Sequence, residues 1–133
     1  MEIVSSLFVE DFDIRQEPGG SARLDLGGVY FSTTASDGFP LTLEPHLLVL
    51  VRCPLDHGGM GALVVKFQRT GEDGDLEQIA QNRQPLQVDP GKFNYRLIKA
   101  KLTWEEPGTI EAHCQIDAGH VTVVPLTVNA PTG

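Results

Sequence analysis

The sequence predicts an all-β fold: a two-sheet antiparallel β-sandwich of about eight strands, immunoglobulin-like in outline. Three observations predict it. Glycine (14) and proline (9) are frequent and recur at intervals that cut the chain into strand-length pieces. Several of those pieces alternate apolar and polar residues with a period of two. Acid-Pro-Gly and Gly-rich turns separate them, and the turn chemistry suits hairpins. The 133 residues suit one domain, spanning 1–133. A chain of that length buries roughly two-thirds of its unfolded surface, so it folds without staples.

The first strand is expected over Glu2–Val9, followed by an acidic loop around Glu10-Asp11-Phe12-Asp13. Glu17-Pro18-Gly19-Gly20 turns the chain into a second strand over Arg23–Thr33, interrupted at Gly27-Gly28. After Asp37-Gly38-Phe39-Pro40, a third strand runs over Leu41–Cys53. Its run Leu47-Leu48-Val49-Leu50-Val51 has no alternation, which reads as a strand buried on both faces. Pro54–Gly61 is a loop. In Ala62–Arg69, Leu63, Val65 and Phe67 share one face and Val64, Lys66 and Gln68 the other.

Leu76–Gln84 is ambiguous. Leu76, Ile79, Ala80 and Arg83 have helical spacing, Asp75 stands in a capping position and Pro85 would end a helix. The preceding turn, Thr70–Asp75, is built for a hairpin and favours a strand; a short helix is the alternative. Asp89-Pro90-Gly91 and Glu106-Pro107-Gly108 predict type II turns. The long strand between them, Phe93–Trp104, shifts its apolar parity at Leu97-Ile98, which predicts a bulge or a change of sheet. Ile110, Ala112, Cys114 and Ile116 give the next strand a clean apolar face. In the last strand, Val121–Val128, Pro125 points to an edge or a bulge.

The chain carries ten basic and eighteen acidic side chains, a net charge of −8. Such a chain repels phosphate backbones and anionic lipid surfaces, so neither a nucleic acid nor a membrane is an expected partner. Met1-Glu2-Ile3-Val4 has no basic segment ahead of an apolar run, and a cytoplasmic location is expected. That compartment predicts free thiols at Cys53 and Cys114. Their separation is that of immunoglobulin cysteines, but Trp104 precedes the second cysteine rather than following the first.

Charge is also segregated. Residues 1–45 have a net charge of −6, while residues 83–101 hold Arg83, Lys92, Arg96, Lys99 and Lys101 against Asp89 alone, a net of +4. Outward lysines blunt strand edges, and they also meet acidic partners.

Leu7-Phe8-Val9-Glu10-Asp11-Phe12, Leu24-Asp25-Leu26-Gly27-Gly28-Val29-Tyr30, Pro45-His46-Leu47-Leu48-Val49-Leu50-Val51 and the closing Pro-Gly-bounded strands resemble a family of small bacterial all-β proteins of unknown function, many of them actinobacterial. The resemblance implies a cytoplasmic bacterial sandwich and transfers no active site. The closing strands are also similar to the end of immunoglobulin-like domains, a likeness of architecture alone.

Signatures of catalysis are absent. There is no Gly-x-Ser-x-Gly elbow and no phosphate loop with a following Lys. His46, His57, His113 and His120 form no zinc-ligand spacing, and Cys114 sits on the apolar parity of its strand, away from His113. Glu10, Asp11, Asp13 and Glu17, helped by Asp37 or by Glu72, Asp73 and Asp75, could gather the oxygens Ca²⁺ needs, although no EF-hand spacing is present. No cofactor is expected. The expected function is therefore that of a non-catalytic module that binds a protein partner or self-associates. Its interaction surface would be Arg96, Lys99 and Lys101 on one side and Glu10, Asp11 and Asp13 on the other. The alternative is a small-ligand or Ca²⁺-binding sandwich that uses the acidic loop around Asp11 and Asp13.

Overall fold

The computed structural model describes residues 1–71 and 73–132. Among these, 66% lie in strands and none in a helix, so the all-β expectation holds. The strands are β1 (Glu2–Gln16), β2 (Ala22–Val29), β3 (Ser32–Thr34), β4 (Leu41–Leu43), β5 (His46–Arg52), β6 (Met60–Thr70), β7 (Leu76–Gln87), β8 (Phe93–Lys99), β9 (Leu102–Trp104), β10 (Gly108–Ile116) and β11 (Thr122–Asn129). They form three sheets rather than the expected two, in the orders β2-β1-β5-β8, β3-β11-β10-β6-β7 and β4-β9. All pairs are antiparallel except β11 with β3.

One core joins the sheets. Phe8, Leu47, Val49, Val51 and Ile98 of the first sheet meet Leu63, Val65, Phe67, Ile110, Ala112, Cys114, Leu126 and Val128 of the second. Leu102 and Trp104 of the small sheet complete it. Burial of this apolar surface supplies the main drive to fold, at roughly 25 cal/mol per Å². Where the sheets come close, small side chains face each other: Ser6 Oγ lies 3.6 Å from Cys114 Sγ.

Both cysteines are free and buried. Burial pushes the Cys114 thiol up, and the Ser6 contact pulls weakly the other way. A thiol raised in the folded state stabilises the fold below the unfolded thiol's value and loses that contribution as pH climbs. Urea unfolding below and above the ordinary value of 9.0 is therefore expected to show a steeper alkaline loss in the wild type than in Cys114→Ala. Equal losses would mean that the thiol does not ionise on unfolding.

Several sequence expectations change in detail. Leu76–Gln84 is a strand, as the preceding hairpin turn favours, and it runs on through Pro85 to Gln87. The expected strands Leu41–Cys53 and Phe93–Trp104 are antiparallel partners along their length. His46 pairs with Lys99 and Leu43 with Leu102, with a bend at Glu44-Pro45 and Ala100-Lys101 between them. The bend is where Ala100 N–H donates to Pro45 O at 3.0 Å. No sheet change occurs at Leu97-Ile98; it comes after Lys99.

Turn chemistry follows the sequence at most positions. Lys92 N–H donates to Asp89 O at 2.9 Å and Gly91 has φ +78, as a type II turn requires. Gly108 instead opens β10 without a positive φ. Pro125 lies in β11 on the stretch that β3 leaves uncovered, since β3 pairs only with Thr127–Asn129. Its missing N–H therefore costs no ladder bond on that side.

Candidate functional site

The acidic segment expected to be a loop is strand. β1 runs on through Glu10, Asp11 and Asp13 to Gln16 and pairs with β2, from Asp11↔Gly27 to Gln16↔Ala22. Its alternation explains why: Phe12 and Ile14 share one face, and Asp11, Asp13 and Arg15 the other. The two strands make an amphipathic hairpin arm. Phe12 pairs with Leu26 and Ile14 with Leu24 on the apolar face. On the polar face Asp13 stands opposite Asp25, and Arg15 opposite Arg23. Like charges directly opposed are unfavourable. The arm relieves them sideways, with Arg15 reaching Asp25 and Arg23 reaching Glu17.

The apolar face of the arm looks across a groove at the outer face of the first sheet. The groove has a volume of about 500 Å³ and is lined by Leu24 and Leu26 of β2, Leu48 and Leu50 of β5, and Phe93 and Tyr95 of β8. The register supplies this outer face: Leu48 pairs with Leu7 and Leu97, and Leu50 with Tyr95. Leu48 is 2% exposed although it lies outside the main core. Phe93 at the open end is 60% exposed. Near the base of the arm, Phe12 packs edge-on against His46, ring centroids 4.9 Å apart. The groove went unpredicted. Its signal is the apolar parity of Phe93, Tyr95 and Leu97, which in the sequence alone reads as one side of a bulge or a change of sheet.

None of the candidate interaction residues is among those lining the groove. Glu10, Asp11 and Asp13 are exposed on the arm. Lys99 and Lys101 are exposed at the end of β8 and in the bend that follows. Arg96 lies three residues before Lys99 on the same strand, hence on the opposite face. It is half-buried and donates to its neighbour's carbonyl, Tyr95 O, at 2.8 Å. Lys99 therefore sits on the groove face of β8, and Arg96 on the other.

The chemical alternatives find little geometry. Among the described residues, no three acidic, His or Cys groups come together as a metal site would need. Asp37, Asp73 and Asp75 lie in other turns, and Glu72 lies outside the described residues. Cys53 Sγ is 3.8 Å from His57 Nδ1, which also accepts the Gly59 N–H at 3.0 Å. Cys53 is fully buried, so its sulfur is closed to a substrate. His113 Nε2 lies 3.1 Å from Glu111 Oε1 on the outer side of β10, while Cys114 points into the core.

No protein-family model matches the chain, and no curated protein sequence matches it.

Proposed function

We propose that the chain is an immunoglobulin-like β-sandwich that works as a non-catalytic binding module, engaging a protein partner through the outer face of its first sheet. The observation that supports this is a run of apolar side chains on the outer face of a sheet. An antiparallel sheet with one face toward water ordinarily shows polar side chains there. Here Leu48, Leu50, Tyr95 and Phe93 face the arm's Leu24 and Leu26 across open space. Exposed apolar surface bounded by charge marks interaction sites. Lys99 supplies charge on the groove face of β8, and Asp11 and Asp13 supply it on the far side of the arm. The same volume suits a small apolar ligand, which is the second reading.

The test is binding of an environment-sensitive apolar dye. Wild-type protein is expected to enhance its fluorescence. Leu50→Arg, at a half-buried position, is expected to abolish the signal with little change in melting temperature. Enhancement unchanged in Leu50→Arg would sink the groove as the binding site. Addition of Ca²⁺ is expected to leave the melting temperature unchanged; a rise would revive the acidic-residue alternative at Asp11 and Asp13.

A further inference from the structure

Open strand edges recruit other strands, and proteins blunt them with short length, proline, lysine or bulges. The two larger sheets end on β2 and β8, and on β3 and β7. β3 has three residues. β7 contains Pro85 and faces a register shift at Phe67/Gln68. β8 ends on Lys99 and turns the half-buried Arg96 to its other face. Over Ala22–Leu26 β2 pairs regularly with β1 and carries only Arg23 and Asp25, a pair of opposite charges.

The backbone groups β2 offers follow from its turn. Gly20 N–H donates to Glu17 O at 3.3 Å, Glu17 N–H donates to Ser21 O at 2.7 Å, and Gly20 has φ +85. This is a three-residue hairpin loop closed by a glycine bulge. Hydrogen-bonded pairs then alternate down the arm, so that 15/23 and 13/25 bond to each other. The N–H and C=O of Ala22, Leu24 and Leu26 therefore point to the open side.

We propose that the protein forms a twofold dimer by antiparallel pairing of β2 with β2 of a second copy, centred on Leu24. In that register Leu24 faces Leu24 of the partner subunit. Arg23 faces Asp25 of the partner subunit, and twofold symmetry repeats the contact. The like charges opposed within each arm thereby gain opposite charges on their other side. On the other face Leu24 meets its counterpart, and Leu26 (39% exposed) meets Ala22 of the partner subunit. The inference goes beyond the groove reading and places self-association on one strand.

The test combines solution mass over a concentration series with amide hydrogen exchange. Wild-type protein is expected to dimerise, and exchange at the Leu24 and Leu26 amides is expected to slow as the dimer forms. Arg23→Asp places like charges at two contacts and is expected to raise the dissociation constant about tenfold or more. The double variant Arg23→Asp/Asp25→Arg is expected to restore dimerisation. A wild type that stays monomeric at the highest attainable concentration overturns the proposal. So does a dimer indifferent to Arg23→Asp, or one whose Leu24 amide exchanges at a concentration-independent rate. Dye binding by the wild type reports the groove separately: a monomeric wild type that binds dye refutes the strand pairing alone, and a dimeric wild type that binds none refutes the groove alone.

Discussion

Trp104→Ala is expected to lower the unfolding free energy by about 3–5 kcal/mol, read by urea denaturation. Trp104 is 2% exposed and belongs to β9, a strand of three residues. Such a short ribbon has little stability of its own. It is held by the indole in the core, by the Trp104 Nε1–H bond to Gly108 O at 3.2 Å, and by Arg69 Nη2 donating to Thr103 O at 2.6 Å. Alanine would leave a large cavity and an unpaired carbonyl. Trp104→Phe keeps most of the volume and loses the bond, so it should cost about 1–3 kcal/mol. Small domains hold roughly 5–15 kcal/mol in all, so the alanine variant should lose a large part of its stability. A cost below about 1 kcal/mol would mean that β4 and β9 are peripheral.

What the sequence disclosed was local. The alternation of Leu63, Val65 and Phe67 places them in the core as expected. The turns at Glu17–Gly20 and Asp89–Gly91 fall where glycine and proline put them. The unalternating run at Leu47–Val51 does mark a strand with both faces covered, the second face partly by the arm. What stayed hidden depends on which elements meet. The parity change at Leu97-Ile98 is an unbroken strand whose outer residues, Tyr95 and Leu97, are apolar for the groove and whose inner residue, Ile98, is apolar for the core. A single strand cannot tell two apolar faces from one face that shifts. The acidic segment differs from its expected loop for another reason. Glu10, Asp11 and Asp13 weighed as charge, whereas Phe12 and Ile14 between them already carried the strand period. Pro45 explains the last difference. It permits the bend that sends one long ladder into two sheets, and its effect is felt across the ladder at Ala100, which no local reading of Ala100 would suggest.

The arm and the groove make a second large prediction. Leu48→Ala is expected to cost about 2–5 kcal/mol, as for a core leucine, although its side chain points away from the core. Leu48 is flanked by Leu7 and Leu97 in register and has Leu24 and Leu26 across the groove. Leu50→Ala, one pair further along the same face, should cost about 1 kcal/mol or less, because Leu50 keeps more of its exposure and faces open volume. The contrast between the two tests the arm. If the arm lies over the sheet in solution, the costs separate as stated. If it swings free, Leu48 is left as exposed as Leu50 and the two costs converge. Convergence would also change the functional reading. The groove would then be an apolar sheet face closed only when a partner arrives, and ordering of Phe12, Ile14, Leu24 and Leu26 would become part of binding. Separate costs would instead mean a preformed groove, in which a partner meets side chains already held in place and loses less entropy on association.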